Sequence, residues 1–438
     1  MSFPRYPKYK DSGVAWLGEV PTHWSLPPLY LRYELLLGKM LDTKRRTGAN
    51  SLPYLRNVDV QWDRVNTTEL PEMDIAPWEL QRFTLKAGDV LVCEGGEVGR
   101  TAMWRGELDR CAFQKAIHRL RPLSASEHTR FLYYCMRFAS ATNVFIADGN
   151  QNTIPHLTGE SFRLYRFPCP PVREQIAIAA FLDRETEKID ALVAEQRLLM
   201  DLLAEKRQAV ISHAVTRGLN PAAPMKASGT EWIGELPSHW DVSRIANVFR
   251  EVADAGTNDR PILSVSIHHG VSDKEMDEEE MDRRVTRSDD RSKYKQVDPD
   301  DLVYNMMRAW QGAFGTVTVS GQVSPAYVVA RPHGRIVTEY VEHLLRTPHA
   351  VEQMRRHSRG VTDFRLRLYW DEFKNIRLPI PPQPEAIRIC SAIDEMDARF
   401  DALTAACEES VALLQERRTA LISAAVTGQI DVRSLPAE

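Results

Sequence analysis

The chain has 438 residues, 43% hydrophobic and 26% charged, and its 56 Lys and Arg against 60 Asp and Glu leave a formal net charge of −4. This is an ordinary soluble balance with room for two domains, each large enough for its own core. It counts modestly against a protein that coats nucleic acid through bulk positive charge, and local basic faces remain open to it. No apolar run approaches the roughly 20 residues that span a bilayer.

The N-terminal MSFPRYPKYKDSG does not read as a signal peptide, so a cytoplasmic location without membrane contact is expected. Cys93, Cys111, Cys135, Cys169, Cys390 and Cys407 form neither a CxxC pair nor a spaced ligand set. Free thiols and no bound metal are expected.

In chain order, the first marked feature is Trp16-Leu17-Gly18-Glu19-Val20-Pro21-Thr22-His23-Trp24. Two tryptophans around a Gly-Glu-x-Pro turn suit a loop anchored on a core. Residues 31–167 then read as a mixed domain. Gly88 to Cys93 is a buried strand after a turn, Glu94 to Arg100 a tight loop, and Thr101 to Trp104 the returning strand. The loop's glycines lack the Lys-Ser/Thr of a phosphate loop, so a hairpin is the better reading. Phe131 to Phe145 is predicted helical.

Residues 168–218 are repeated without gaps at an offset of 211, pairing Pro168 with Pro379, Glu205 with Glu416 and Thr216 with Thr427. Each copy opens on a Pro-rich block suited to a helix start and is stopped by Gly218 or Gly428. Leu182, Ile189, Leu192, Leu199, Leu203 and Val210 fall at heptad spacing, with Glu185, Gln196 and Lys206 interrupting. Their counterparts are Ile393, Phe400, Leu403, Ser410, Leu414 and Leu421. Such a seam makes each helix the expected partner of the other. Gln196 and Cys407 share one aligned layer, as register-setting residues or as tolerated defects. The order domain, helix, domain, helix makes the pair antiparallel about a pseudo-twofold axis, with each helix roughly 60 Å long. The chain termini are then expected to lie close together.

After the linker Asn220 to Pro224, the opening motif returns as Trp232-Ile233-Gly234-Glu235-Leu236-Pro237-Ser238-His239-Trp240. Residues 241–378 repeat the domain plan with other side chains. Asp300 to Asn305 and Ser324 to Val329 read as strands, Ala309 to Ala313 as the loop, and Thr338 to His357 as one helix. The predicted fold class is α+β: two pseudo-twofold-related globular domains, 1–167 and 219–378, separated by two long helices forming an antiparallel coiled coil. The helical segments are 168–218 and 379–430, followed by a tail, 431–438.

No phosphate-loop, HExxH, GxSxG or dinucleotide-binding signature is present. Basic residues cluster instead: Lys39, Lys44, Arg45 and Arg46; Arg283, Arg284, Arg287, Arg291, Lys293 and Lys295; and Arg355, Arg356, Arg359, Arg365 and Arg367. Each run is either a solvated face or a phosphate-holding surface. Gln151, Asn152 and Thr153 follow Gly149 where the second half has Gly360-Val361-Thr362. Amide side chains suit bidentate contacts to adenine, and turn chemistry at a loop tip is the competing account. Arg100, at the end of the glycine loop, completes the candidate DNA-binding set with Thr362.

The Trp-x-Gly-Glu-x-Pro-x-His-Trp openings, the Gly-Asp-x-Leu strand, Ser324-Pro325-Ala326-Tyr327 and the Pro-x-Pro-Pro blocks before long helices resemble the specificity subunit of Type I restriction-modification enzymes. The resemblance spans nearly the whole chain. Glu174-Gln175 fits the family's pattern after the prolines, whereas the second copy has Glu385-Ala386. The resemblance implies a non-catalytic subunit whose two target-recognition domains each read half of a bipartite, asymmetric double-stranded DNA sequence, with the helices setting the gap. It implies two adenine methyltransferase subunits docked on the repeated helices, and two restriction subunits. S-adenosylmethionine, ATP and Mg would sit on those partners, and none on this chain. A non-DNA adaptor with two protein-binding domains is the alternative.

Overall fold

A computed structural model of the protein describes residues 3–41, 48, 50–147, 156–257, 260–266, 270–272, 293–360 and 365–434. It comprises two compact units, Met1–Gln196 with Glu409–Glu438, and Arg197–Glu408. The division falls inside the long helices, not at their ends, so each unit holds half of both.

In the first unit β1 (Tyr33–Leu37), β2 (Val90–Cys93), β3 (Thr101–Met103) and β4 (Ile117–Pro122) form an antiparallel sheet in the order β1-β4-β2-β3. In the second, β5 (Phe249–Val252), β6 (Leu302–Asn305), β7 (Phe314–Thr316) and β8 (Tyr327–Pro332) repeat that order as β5-β8-β6-β7. Successive strand residues face opposite sides. Val90 and Val92 enter one core while Leu91 and Cys93 enter another. Leu302 and Tyr304 are likewise divided from Val303. A sheet buried on both faces explains the unbroken apolar runs.

The Gly-Asp turn before β2 is a structural device. Gly88 has φ 93°, and Asp300, its counterpart, adopts φ 71° despite its side chain. Asp89 and Asp301 are buried; they accept the Lys86 and Asp298 N–H groups at 2.8 and 3.0 Å. Each also takes two guanidinium bonds from the neighbouring strand. Arg121 reaches Asp89 at 2.7 and 2.6 Å, and Arg331 reaches Asp301 at 2.9 Å twice. These bonds hold the Arg121 guanidinium above its usual pKa.

Helix α1 (Thr129–Ala141) covers the first sheet. Its counterpart is broken in two, α3 (Thr338–Leu345) and α4 (Pro348–His357), where one helix was predicted. The cause is local. Thr347 caps α4 by accepting the Ala350 N–H, and Pro348 occupies the first turn, where its missing N–H costs nothing.

The long helices are α2 (Val172–Arg217) and α5 (Gln383–Val426). In the first unit the start of α2 (Ile178, Leu182) shares a core with the end of α5 (Ile422, Val426), and Asp190 pairs with Arg418 at 3.2 Å. In the second, the end of α2 (Ala214, Val215) shares a core with the start of α5 (Ile389, Ile393). There Arg207 pairs with Asp397 and Asp401, both at 2.8 Å. Within each unit the segments therefore run antiparallel. Arg207 and Arg418 are 211 apart, as are Asp190 and Asp401, so the ion pair is itself duplicated.

The seam is displaced from its predicted course. Leu192, Leu199 and Leu403 are 45%, 43% and 51% exposed, which removes them from the pairing set. From Leu182 the buried and half-buried positions step four-then-three, through Thr186, Ile189, Val193, Gln196, Met200, Leu203, Arg207 and Val210. The predicted alternation was three-then-four. Polar Thr186 and Arg207 occupy true seam positions and hid the phase, while leucines outside it mimicked one. Leu182, Ile189, Leu203, Val210, Ile393, Phe400, Leu414 and Leu421 are buried or half-buried.

Both tryptophan motifs sit against helix ends. Gly428 (φ 74°) ends α5 where a Cβ would meet Pro21 at 2.4 Å, and Gly218 (φ 75°) ends α2 where one would meet Trp240 at 3.3 Å. The expected closeness of the termini holds, since the Asp431 N–H donates to the Pro4 carbonyl at 2.8 Å. All six cysteines are free. Among the described residues, no helix is long and apolar enough to cross a membrane.

Candidate nucleic-acid interface

In each unit a loop between sheet strands meets the segment preceding the next long helix. In the first, the Leu157 N–H donates to the Glu94 carbonyl at 2.8 Å; in the second, the Leu368 N–H donates to the Met306 carbonyl at 2.9 Å. Leu157 and Leu368 are buried. The chain before each anchor holds Gln151, Asn152 and Thr153 in one half and Thr362 in the other. These four lie outside the described residues, but the anchors place the ends of both segments on equivalent parts of the frame. His118 supports the first anchor from below, its Nε2 2.7 Å from the Leu157 carbonyl, and burial pushes its pKa down.

Lys44, Arg45 and Arg46 also lie outside the described residues, and the chain leading to them is fixed by packing. Gly38 admits no side chain, because a Cβ would stand 2.3 Å from the Gln114 carbonyl oxygen. Lys39 exchanges backbone hydrogen bonds with Phe113 and Lys115, both at 3.0 Å. Its ammonium pairs with Glu79 and holds that carboxyl below the usual range. Trp78, on the same turn as Glu79, is 83% exposed. Sequence reasoning passed over it; the signal was a tryptophan directly after Pro77 and before Glu79.

Arg100 donates to the Asn57 carbonyl and amide oxygens, both at 2.9 Å, and stands 3.6 Å from Glu97. It ties the glycine loop to the Asn57 turn. In the second unit, Arg359 and Arg367 exchange backbone hydrogen bonds at 2.9 Å, closing the loop that contains Arg365. The Arg359 side chain is exposed and paired with Glu372. Arg356 is tethered to Glu352 one turn back at 3.2 Å. The structure thus brings Arg355, Arg356, Arg359, Arg365 and Arg367 to the α4 terminus and the adjoining loop. Lys293 is exposed; Arg287 and Arg291 lie outside the described residues.

The departure at Ala386 has a structural counterpart. Gln175 accepts the His128 N–H at the head of α1 at 2.9 Å and donates to the Ser126 and Pro170 carbonyls at 3.1 and 2.8 Å. Ala386 is instead buried in the apolar core of the second unit.

Comparison with known proteins matches residues 38–197 to the Type I restriction modification DNA specificity domain. The Type I restriction enzyme EcoBI specificity subunit of Escherichia coli is 23% identical over 316 residues, covering 69% of this chain and 65% of that protein. The chain therefore spans just under two thirds of that curated relative. In fold, it resembles a chain from a structure of type I R-M complex assembly and conformational transition. That likeness has a TM-score of 0.61 and 17% identity, covering 93% of this chain and 98% of the other. It also resembles the HsdS subunit from Thermoanaerobacter tengcongensis, with a TM-score of 0.55 and 16% identity over 94% and 98% of the two chains. Over residues 38–197 by sequence, and over nearly the whole chain by fold, the protein is similar to specificity subunits of Type I restriction-modification systems.

Proposed function

We propose that the protein is the DNA-recognition subunit of a Type I restriction-modification complex, each unit reading one half of a bipartite double-stranded target. The observation that carries this reading is the duplicated anchor, Leu157 on Glu94 and Leu368 on Met306. One frame anchors Leu157 and Leu368 at equivalent points, directly after segments of unrelated sequence, as two readers of different half-sites require. Arginines at the α4 terminus suit phosphate contacts, and exposed Trp78, next to the Glu79 that pairs with Lys39, offers a stacking face.

The long helices dock the methyltransferase subunits. Ile176 and Ile387, Leu192 and Leu403, and Leu202 and Leu413 are exposed aliphatic pairs, each 211 apart in the chain. Two copies of one partner would meet the same apolar positions. The partner supplies S-adenosylmethionine chemistry and restriction subunits supply ATP-driven cleavage; this chain performs no catalysis.

The test is to co-express the chain with its methyltransferase partner, map methylated adenines, and then replace residues 241–378 with those of a relative. One half-site should change while the other and the gap persist. A change in both halves overturns modular reading, and methylation without sequence preference favours the adaptor.

A further inference from the structure

Helices α1 and α3 align by their buried faces, Phe131, Leu132, Cys135 and Met136 matching Tyr340, Val341, Leu344 and Leu345. Under that alignment Arg130 corresponds to Glu339 and Tyr134 to His343. The 211 offset makes Ala179 correspond to Cys390 and Asp183 to Asp394.

In the first unit the cluster closes around a guanidinium. Arg130 Nε donates to Asp183 at 2.7 Å, the Tyr134 hydroxyl donates to the same oxygen at 2.6 Å, and Arg130 also pairs with Asp63. In the second unit the cation is replaced by a carboxylate and the phenol by an imidazole, and a thiol is added. One ligand atom from each of Glu339, His343 and Cys390 lies within 4.8 Å of the other two. Asp394 stands close enough to act on the charges of both Glu339 and Cys390. Nε2 of His343 is buried with no hydrogen-bond partner. Among the described residues no Lys or Arg forms an ion pair with Glu339 or Asp394.

We propose that Glu339, His343 and Cys390 bind a divalent cation of the zinc class, with the fourth position taken by Asp394 or water. A thiolate and an imidazole nitrogen beside a carboxylate select a borderline-soft ion over magnesium or calcium, which prefer all-oxygen shells. On binding, the Cys390 thiol releases its proton to solvent as the sulfur–metal bond forms. The two charges of the ion then balance the thiolate and the Glu339 carboxylate. The metal links α3 to α5, as Arg130 links α1 to α2 in the other unit.

The full chain, stripped with chelator, is titrated with Co²⁺ and then Zn²⁺. The expected result is one equivalent of Co²⁺ with a thiolate-to-metal charge-transfer band, displaced by Zn²⁺ and accompanied by a rise in melting temperature. Cys390→Ser should abolish the band and His343→Gln should weaken binding more than about tenfold. Glu339→Arg, which installs the first unit's guanidinium, should keep the circular dichroism and unfolding profile while losing the metal. No charge-transfer band in the unsubstituted chain, or Co²⁺ affinity in Cys390→Ser and His343→Gln equal to that of the unsubstituted chain, overturns the site. Either outcome leaves DNA recognition untouched, since no proposed reader residue takes part.

Discussion

In the first unit, Glu174 at the head of α2 gathers three donors. The Trp24 indole N–H donates to it at 3.0 Å, His23 stands 2.9 Å away, and the Tyr6 hydroxyl also donates. In the second unit the equivalent Glu385 keeps His239 at 2.7 Å, but the Trp240 indole N–H is buried with no partner. The apolar packing of both tryptophans is retained. Duplication has preserved the shape of this junction more strictly than its hydrogen bonds, consistent with burial supplying most of the driving force and net hydrogen bonding less.

The comparison breaks most visibly at the pairs that both units share. Asp89→Ala and Asp301→Ala should each destabilise their own unit by about 2–3 kcal/mol, because each leaves a turn N–H without its acceptor and takes two charge-assisted bonds from an arginine. Hydrogen exchange read unit by unit measures this; a loss confined to one variant would mean the frames are not equivalent. Next in size is the tryptophan asymmetry. Trp24→Phe should cost about 1–2 kcal/mol more than Trp240→Phe, since the second removes a donor that has no acceptor. Equal costs in denaturant titrations would show that Glu174 is indifferent to the indole.

The smallest effect expected is on pH. Burial lowers the folded pKa of His118, whose counterpart on β8 is Val328. The unfolded chain therefore binds the proton more readily, and stability contributed by neutral His118 is present above the ordinary histidine value of about 6.5. It is lost as pH falls from there toward the folded pKa. Between about pH 7 and 5.5 the first unit should lose stability relative to the second, and His118→Val should shrink that difference, leaving the part due to His128, whose pKa burial also lowers.

The duplicated helices, the strand after Gly88 and the tryptophan anchors were legible in the sequence because packing repeats at fixed spacing. The helix phase was misread because Thr186 and Arg207 lie on the seam while Leu192 and Leu199 lie off it, and residue type alone does not reveal which stripe faces a partner. The α3–α4 break was visible in Thr347-Pro348 but outweighed by the periodicity on either side. Candidate readers were legible only as residue types. Arg100 shows why: a basic residue in a loop can be spent on holding a neighbouring turn.

The hydrogen bond from Asp431 to Pro4 makes the chain's beginning and end nearly interchangeable with any other exposed joint. A short peptide across that gap, with new ends opened in the linker from Asn220 to Pro224, would rewrite the order of the halves without rearranging either fold. Gene rearrangements that shuffle whole halves are therefore tolerable to this architecture.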